Sequence, residues 1–273
     1  MIGYRMGLKY SIAQACRIGA RQSNQDRVGH SASDAALLMV VADGMGGHPR
    51  GELAAQLAVD QLVEDFEREA QPRLAQPETF LQAAFNRAHW RIARETRALR
   101  LADAPRTVLV ACVVQDGAAT WLHVGDSRFY LLRGDKVAVR SRDDSFIQQL
   151  VDMGWLREED AAIHPDRNIV VRCVGGNEAP RPRQPVRVVL EPNDIMVLCS
   201  DGFWGPLSPS ELAAGLRGQD LQGEVDTLVA LAEKRSGVQC DNVSVVALAW
   251  NERQRRGRRF RRTKAAGDLP TEA

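Results

Sequence analysis

Five aspartates stand at the ends of apolar runs or in tight turns. Asp43 closes Ala-Leu-Leu-Met-Val-Val-Ala and is followed by Gly44-Met45-Gly46-Gly47-His48. Asp201 closes Ile-Met-Val-Leu-Cys-Ser and is followed by Gly202-Phe203-Trp204-Gly205. Asp241-Asn242 leads into Val-Ser-Val-Val-Ala-Leu-Ala-Trp, Asp26 ends Arg21-Gln22-Ser23-Asn24-Gln25, and Asp126 lies in Gly125-Asp126-Ser127-Arg128. A carboxylate beside an apolar core costs free energy unless something pairs with it. Carboxylates gathered without Lys or His call for a hard cation with oxygen ligands, Mg2+ or Mn2+ rather than zinc. Glycine after Asp43 and Asp201 fits, because a chain without Cβ lets backbone carbonyls and a substrate phosphate come close. Taken singly, an Asp-Gly after a strand is a turn. Gly44-Met45-Gly46-Gly47 also lacks the Lys-Ser/Thr ending of a nucleotide-binding P-loop.

The elements around these positions follow from periodicity. Strands are predicted over Tyr10–Cys16, Ala35–Ala42, Thr107–Val114, Thr120–Val124, Arg128–Leu132, Val186–Leu190, Ile195–Cys199 and Val243–Trp250. Leu53, Leu57, Ala58, Leu62 and Phe66 recur at helical spacing in Glu52–Glu69, as do Leu81, Ala84, Phe85, Ala88 and Ile92 in Pro77–Arg100. Ser208–Leu216 opens like a capped helix, with Glu211 three residues after Ser208, and Glu224–Arg235 reads as another. Strands run consecutively with helix pairs between them. That pattern favours an α+β domain with antiparallel sheets over a doubly wound parallel one.

Composition narrows the class. The chain has 273 residues, 44% hydrophobic and 26% charged, with a net charge of +1. These values suit a folded domain and exclude wholesale disorder. Residues 252–273 carry eight basic and three acidic side chains, so a mildly acidic body bears a basic tail. The tail, 251–273, is expected to be disordered, to lie outside the core and to bind no specific nucleic acid. The longest apolar run, Ala35–Ala42, is far short of the roughly 20 residues of a membrane-spanning helix. Five cysteines without a Cys-x-x-Cys pair fit a reducing cytosol, hence a cytoplasmic protein.

In order, Arg-x-x-Asn-Gln-Asp, Val-Ala-Asp-Gly-Met-Gly-Gly-His, Gly-Asp-Ser-Arg, Ser-Asp-Gly-Phe and Asp-Asn-Val-Ser resemble the PPM (type 2C) metal-dependent protein serine/threonine phosphatases in their compact bacterial form. The resemblance covers about residues 8–250. It implies a four-layer α-β-β-α sandwich of two antiparallel sheets flanked by helix pairs, with a flap at about 143–185. It also implies hydrolysis of phosphoserine and phosphothreonine in proteins, opposing a serine/threonine kinase, by a monomeric enzyme. By this resemblance Asp43 bridges two Mn2+ or Mg2+ ions and the Gly44 carbonyl is a further ligand. Asp201 and Asp241 complete one site, Asp26 holds the other through water, and Asp126 with Asp201 takes a weaker third ion. Arg21 grips the phosphate. His48 either protonates the leaving oxygen or supports a ligand of the metal, and Asn242 and Ser200 orient neighbouring groups.

The chain departs from the pattern in places. Gln25 stands where many members have Glu, and Ala104-Pro105-Arg106-Thr107 replaces the usual Gly-x-Thr-Thr. In the flap, Asp143 opens a helix-like stretch, and Trp155 and His164 are candidates for shaping the substrate groove, with local packing the equal alternative for Trp155. A catalytically silent binding module would be expected to lose the metal carboxylates, and all five are present.

Overall fold

The computed structural model describes residues 2–5, 8–46, 50–161, 164–180 and 182–251. In chain order the elements are β1 (Ile2–Arg5), β2 (Leu8–Arg17), β3 (Arg27–Ala32), β4 (Ala36–Gly44), α1 (Gly51–Glu69), α2 (Pro77–Ala98), β5 (Arg106–Gln115), β6 (Ala118–Val124), β7 (Arg128–Arg133) and β8 (Lys136–Arg140). The flap contributes α3 (Phe146–Asp152), α4 (Glu158–Ala161) and β9 (Val174–Gly175). The chain continues with β10 (Val186–Val189), β11 (Ile195–Cys199), α5 (Asp201–Trp204), α6 (Pro209–Gly215), α7 (Leu221–Ser236) and β12 (Val243–Trp250). His48 and residues 252–273 lie outside the described residues.

The strands form two antiparallel sheets. One has the order β1-β2-β12-β11-β7-β8 and the other β10-β6-β5-β4-β3, with β9 pairing the start of β5. Alternation along each strand supplies two apolar faces. Leu37, Met39 and Val41 of β4 meet Met196, Leu198, Val246 and Leu248 between the sheets. Leu38, Val40 and Ala42 pack instead under α1 and α2. Val197, Val245 and Ala247 pack under α6 and α7 with Leu212, Val225 and Leu228. The result is the four-layer α-β-β-α arrangement, and no described helix is long and apolar enough to cross a membrane.

Predicted and observed elements differ mainly at edges. Strand β3, half-buried along its length, lacks the apolar run that marks its neighbours, as does β8 with Lys136 and Arg140. Helix α7 starts three residues before the predicted Glu224, capped by Asp220, whose carboxylate accepts from the Gly223 amide. Ser208 and Glu211 form the expected capping box of α6. The turn after Asp201 is itself the short helix α5.

Candidate active site

Strand alternation delivers the polar residues to one end of the inter-sheet layer. In β4 the inward stripe Leu37-Met39-Val41 continues to Asp43, which breaks it at the mouth. Its carbonyl accepts from Thr107 Oγ1 on β5 at 2.7 Å. The inward stripe of β11 ends at Ser200, whose hydroxyl donates to Asp26 Oδ2 at 2.8 Å and accepts from the Ser244 amide at 3.1 Å. Asp26, only 1% exposed, is thereby held behind the mouth. Asn242 fastens the loop before β3. Its Nδ2 donates to the carbonyls of Ile18 and Ser23, and its Oδ1 accepts from the Gln25 amide at 2.8 Å. This fastening brings Arg21 and Asp26 beside Asp241. The orienting roles expected of Asn242 and Ser200 match these contacts.

Gly44 marks a close approach. A Cβ there would lie 2.4 Å from the Gly51 carbonyl carbon at the start of α1, so only glycine lets this helix end pack against the strand end. The Gly44 amide donates to the Gln25 carbonyl.

A cleft of about 670 Å³ opens at this end, lined by Asp43, Gly44, Asp126, Asp201 and Asp241, with Arg21 the one cation among the described lining residues. Burial and mutual repulsion dominate its electrostatics. Desolvation, followed by Asp26, Asp201, Asp126 and Asp241, pushes the Asp43 carboxyl well above its ordinary range. Desolvation and then Asp241 and Asp26 raise Asp201 to about 7, against the Gly202 amide and Arg21. Asp26 is raised to about 6 by burial, opposed by bonds from Ser200 and Ser244. Asp126 is driven well up by burial and by Asp201 and Asp143. Such a set, hard oxygen donors lacking countercharge, fits a divalent cation. Among the described residues no three carboxylates, imidazoles or thiols are already drawn tight enough to hold one.

Arg21, more than half exposed, donates to Asp241 Oδ2 at 2.6 Å. In this arrangement its guanidinium offsets a carboxylate. An arriving phosphate would compete for the same group.

Several contributors escaped the sequence reading. Arg128 forms a two-pronged pair with Asp143 at 2.8 and 2.7 Å, and its guanidinium carbon sits 3.3 Å from the centroid of the Trp204 ring. The Trp204 indole donates to the Asp126 carbonyl at 3.0 Å. This cluster joins the flap root to Asp126 and to the helix that begins with Asp201. Asn168 and Val170 of the flap also line the cleft. Trp155 is 77% exposed, and neither it nor His164 is among the residues lining this cleft. Arg128 and Trp204 sit inside or beside the quoted motifs, and Asp143 opens the flap. Proximity to Asp126 and Asp201 was the signal available for Arg128 and Trp204.

Residues 14–234 match the family described as protein phosphatase 2C. The chain is 33% identical over 242 residues to the serine/threonine protein phosphatase PstP of Mycobacterium tuberculosis, covering 88% of this chain but 44% of that protein. It is 31% identical to protein phosphatase PhpP of Streptococcus pneumoniae, covering 85% and 94% respectively. Among solved structures it resembles the catalytic domain of PstP in complex with two manganese ions, at a TM-score of 0.74 and 28% identity over 89% of this chain and 99% of that one. The chain thus spans less than half the length of the mycobacterial relative.

Proposed function

Because this chain belongs to the protein phosphatase 2C family, we propose that it hydrolyses phosphoserine and phosphothreonine in proteins, in opposition to a serine/threonine kinase. The observation that carries the reading is the cleft itself, where buried carboxylates converge with one arginine as countercharge. In this reading Asp43 would hold two divalent ions, with the Gly44 carbonyl as a further ligand, Asp201 and Asp241 would complete one site, and Asp26 would support the other largely through water. Asp126 with Asp201 suits a weaker third ion. Mn2+ is the first choice, supported by the manganese-bound relative, and Mg2+ has the same preference for oxygen. Bound there, the ions supply a hydroxide near neutral pH and neutralise charge on the phosphoryl oxygens.

The chain's own groups do the positioning. Arg21 exchanges the Asp241 carboxylate for two phosphate oxygens, a contact its planar fork favours. Ser200 and Asn242 fix Asp26 and the loop that carries Arg21. The flap residues Asn168 and Val170 line one side of the cleft. His48 retains its two candidate roles, as proton donor to the leaving oxygen or as support for a metal ligand. The catalytic domain is placed at residues 8–250, acting as a monomer in the cytoplasm. Phosphate release from a phosphothreonine peptide, measured with Mn2+ and with EDTA, tests the reading. Turnover only with the metal is expected, and full turnover after exhaustive chelation would overturn it.

A further inference from the structure

Asp144 stands where the flap leaves the body, and other parts of the chain converge on it. Its amide donates to the Gly125 carbonyl at 2.8 Å, one residue before Asp126, and its carbonyl accepts from the Val171 amide at 2.8 Å. Its carboxylate Oδ1 accepts from Arg172 Nη1 at 2.6 Å and from Arg183 Nε at 3.0 Å. The carboxylate is buried, while both arginines are partly exposed.

Both arginines lie in the returning half of the flap. That limb is laid against the outgoing one by the bridge between Ser145 and Val170 and by the Phe146 amide, which donates to the Ile169 carbonyl at 2.8 Å. Phe146, Ile169 and Val171 are all exposed, and backbone bonds in such places open readily. A buried charge shared by two guanidiniums is a firmer tie, since charge-assisted hydrogen bonds are about twice as strong as neutral ones. Two cations drawn to one oxygen also repel each other, so it is the carboxylate charge that keeps them together. What the tie holds matters for the site, because Asn168 and Val170 of the same limb line the carboxylate cleft.

We propose that Asp144 is a positioning residue: by gripping Arg172 and Arg183 it holds the returning limb of the flap, and so keeps Asn168 and Val170 in the wall of the cleft. The inference rests on the phosphatase reading and adds to it a residue that touches neither metal nor phosphate.

Two substitutions loosen the grip in different ways. Asp144→Asn keeps Oδ1 and removes the charge, and Oδ2 takes no hydrogen bond among the described residues that would be lost with it. Arg183→Ala removes one partner from a partly exposed position. In the full chain held with EDTA, each should speed hydrogen exchange at the Phe146 and Val171 amides. In the chain loaded with Mn2+, each should raise KM for a phosphothreonine peptide several-fold, with kcat changing less. The effect of Arg183→Ala should vanish in the Asp144→Asn background, because residues of one network are not additive, and Arg183→Lys, which keeps the charge, should recover part of the loss. Asp194→Asn supplies the comparison. Asp194 is also buried and receives Arg133 at 2.9 and 2.7 Å, but at the end of β11 away from Asp201, so its variant should lower the Tm and move neither readout. If Asp144→Asn and Arg183→Ala likewise lower the Tm and leave exchange and KM as in the wild type, the proposal is overturned. Additive effects of the two substitutions on KM would also overturn it. Failure of the wild-type chain to turn over p-nitrophenyl phosphate with Mn2+ would instead overturn the phosphatase reading, and the exchange measurement would still decide whether Asp144 holds the limb.

Discussion

Two sets of aspartates in this molecule are withdrawn from solvent, fully or in part, and differently answered. Asp65 is fully buried between α1 and α2 and receives Arg68 and Arg87. Asp144 at the flap root receives Arg172 and Arg183, and Asp194 before β11 receives Arg133. At the inter-sheet mouth, by contrast, Asp26, Asp43 and Asp126 face other carboxylates, and Arg21 donates to Asp241. Burial alone therefore does not distinguish a functional carboxylate here. Burial among other carboxylates is what sets the proposed metal ligands apart, because a bound cation would supply their countercharge.

The contrast is broken most directly by charge removal. Asp43→Asn or Asp201→Asn should abolish Mn2+-dependent turnover of p-nitrophenyl phosphate while the apo protein melts no lower than wild type, since repulsion is relieved. Near-normal turnover in either variant at saturating manganese would show that these groups do not hold the metal. Asp65→Ala should do the reverse. It removes the buried partner of two partly exposed arginines, which keep Glu69, and should lower the Tm, with turnover of the folded fraction preserved. Equal stability of this variant and wild type would erase the distinction between the two sets.

Arg21→Ala is expected to lower kcat/KM through KM, by the roughly 1.5–3 kcal/mol of a charge-assisted phosphate contact. Steady-state kinetics on a phosphothreonine peptide would show it, and an unchanged KM would leave Arg21 as countercharge to Asp241 alone. A smaller effect concerns pH. The carboxyl of Asp201 rises from 3.8 to about 7 on folding without metal, and Asp43 is raised as well. The folded apo chain therefore binds more protons than the unfolded one between about pH 4 and 7, and its stability should fall as pH rises through that window. Mn2+ displaces those protons, so the rise in Tm on adding it should grow over the same window. Melting curves with EDTA and with Mn2+ from pH 5 to 8 would sharpen or refute this. Finally, removing residues 252–273 should leave p-nitrophenyl phosphate turnover unchanged, because β12 ends at Trp250. Lost turnover would move the domain boundary.

Much of this was legible in the chain. Long apolar runs ending in Asp43 and Asp201 announce central strands and misplaced carboxylates together, since both signals arise from the same residues. Gly44 and Gly202 were readable for a similar reason, because a missing side chain is itself a pattern. Strands β3 and β8 were not legible, for they sit at sheet edges where one face needs no apolar cover. The Arg21–Asp241 pair spans 220 positions, and the stacking of Arg128 on Trp204 joins β7 to α5. Neither leaves a local periodic trace.

The alternation along β4 has a consequence for how this chain tolerates changes of length. Asp43 faces the cleft because it stands an even number of residues beyond Leu37, Met39 and Val41. One residue inserted or deleted among them would turn the carboxylate towards α1, into a layer packed with Ala54, Ala58 and Leu62. Two inserted residues would restore the facing but carry Asp43 about 7 Å along the strand, away from Asp26 and Asp201. Within β4 neither the parity nor the distance can drift. Insertions and deletions should therefore collect outside β4, in the turn before Ala36 and in the chain between Met45 and Arg50.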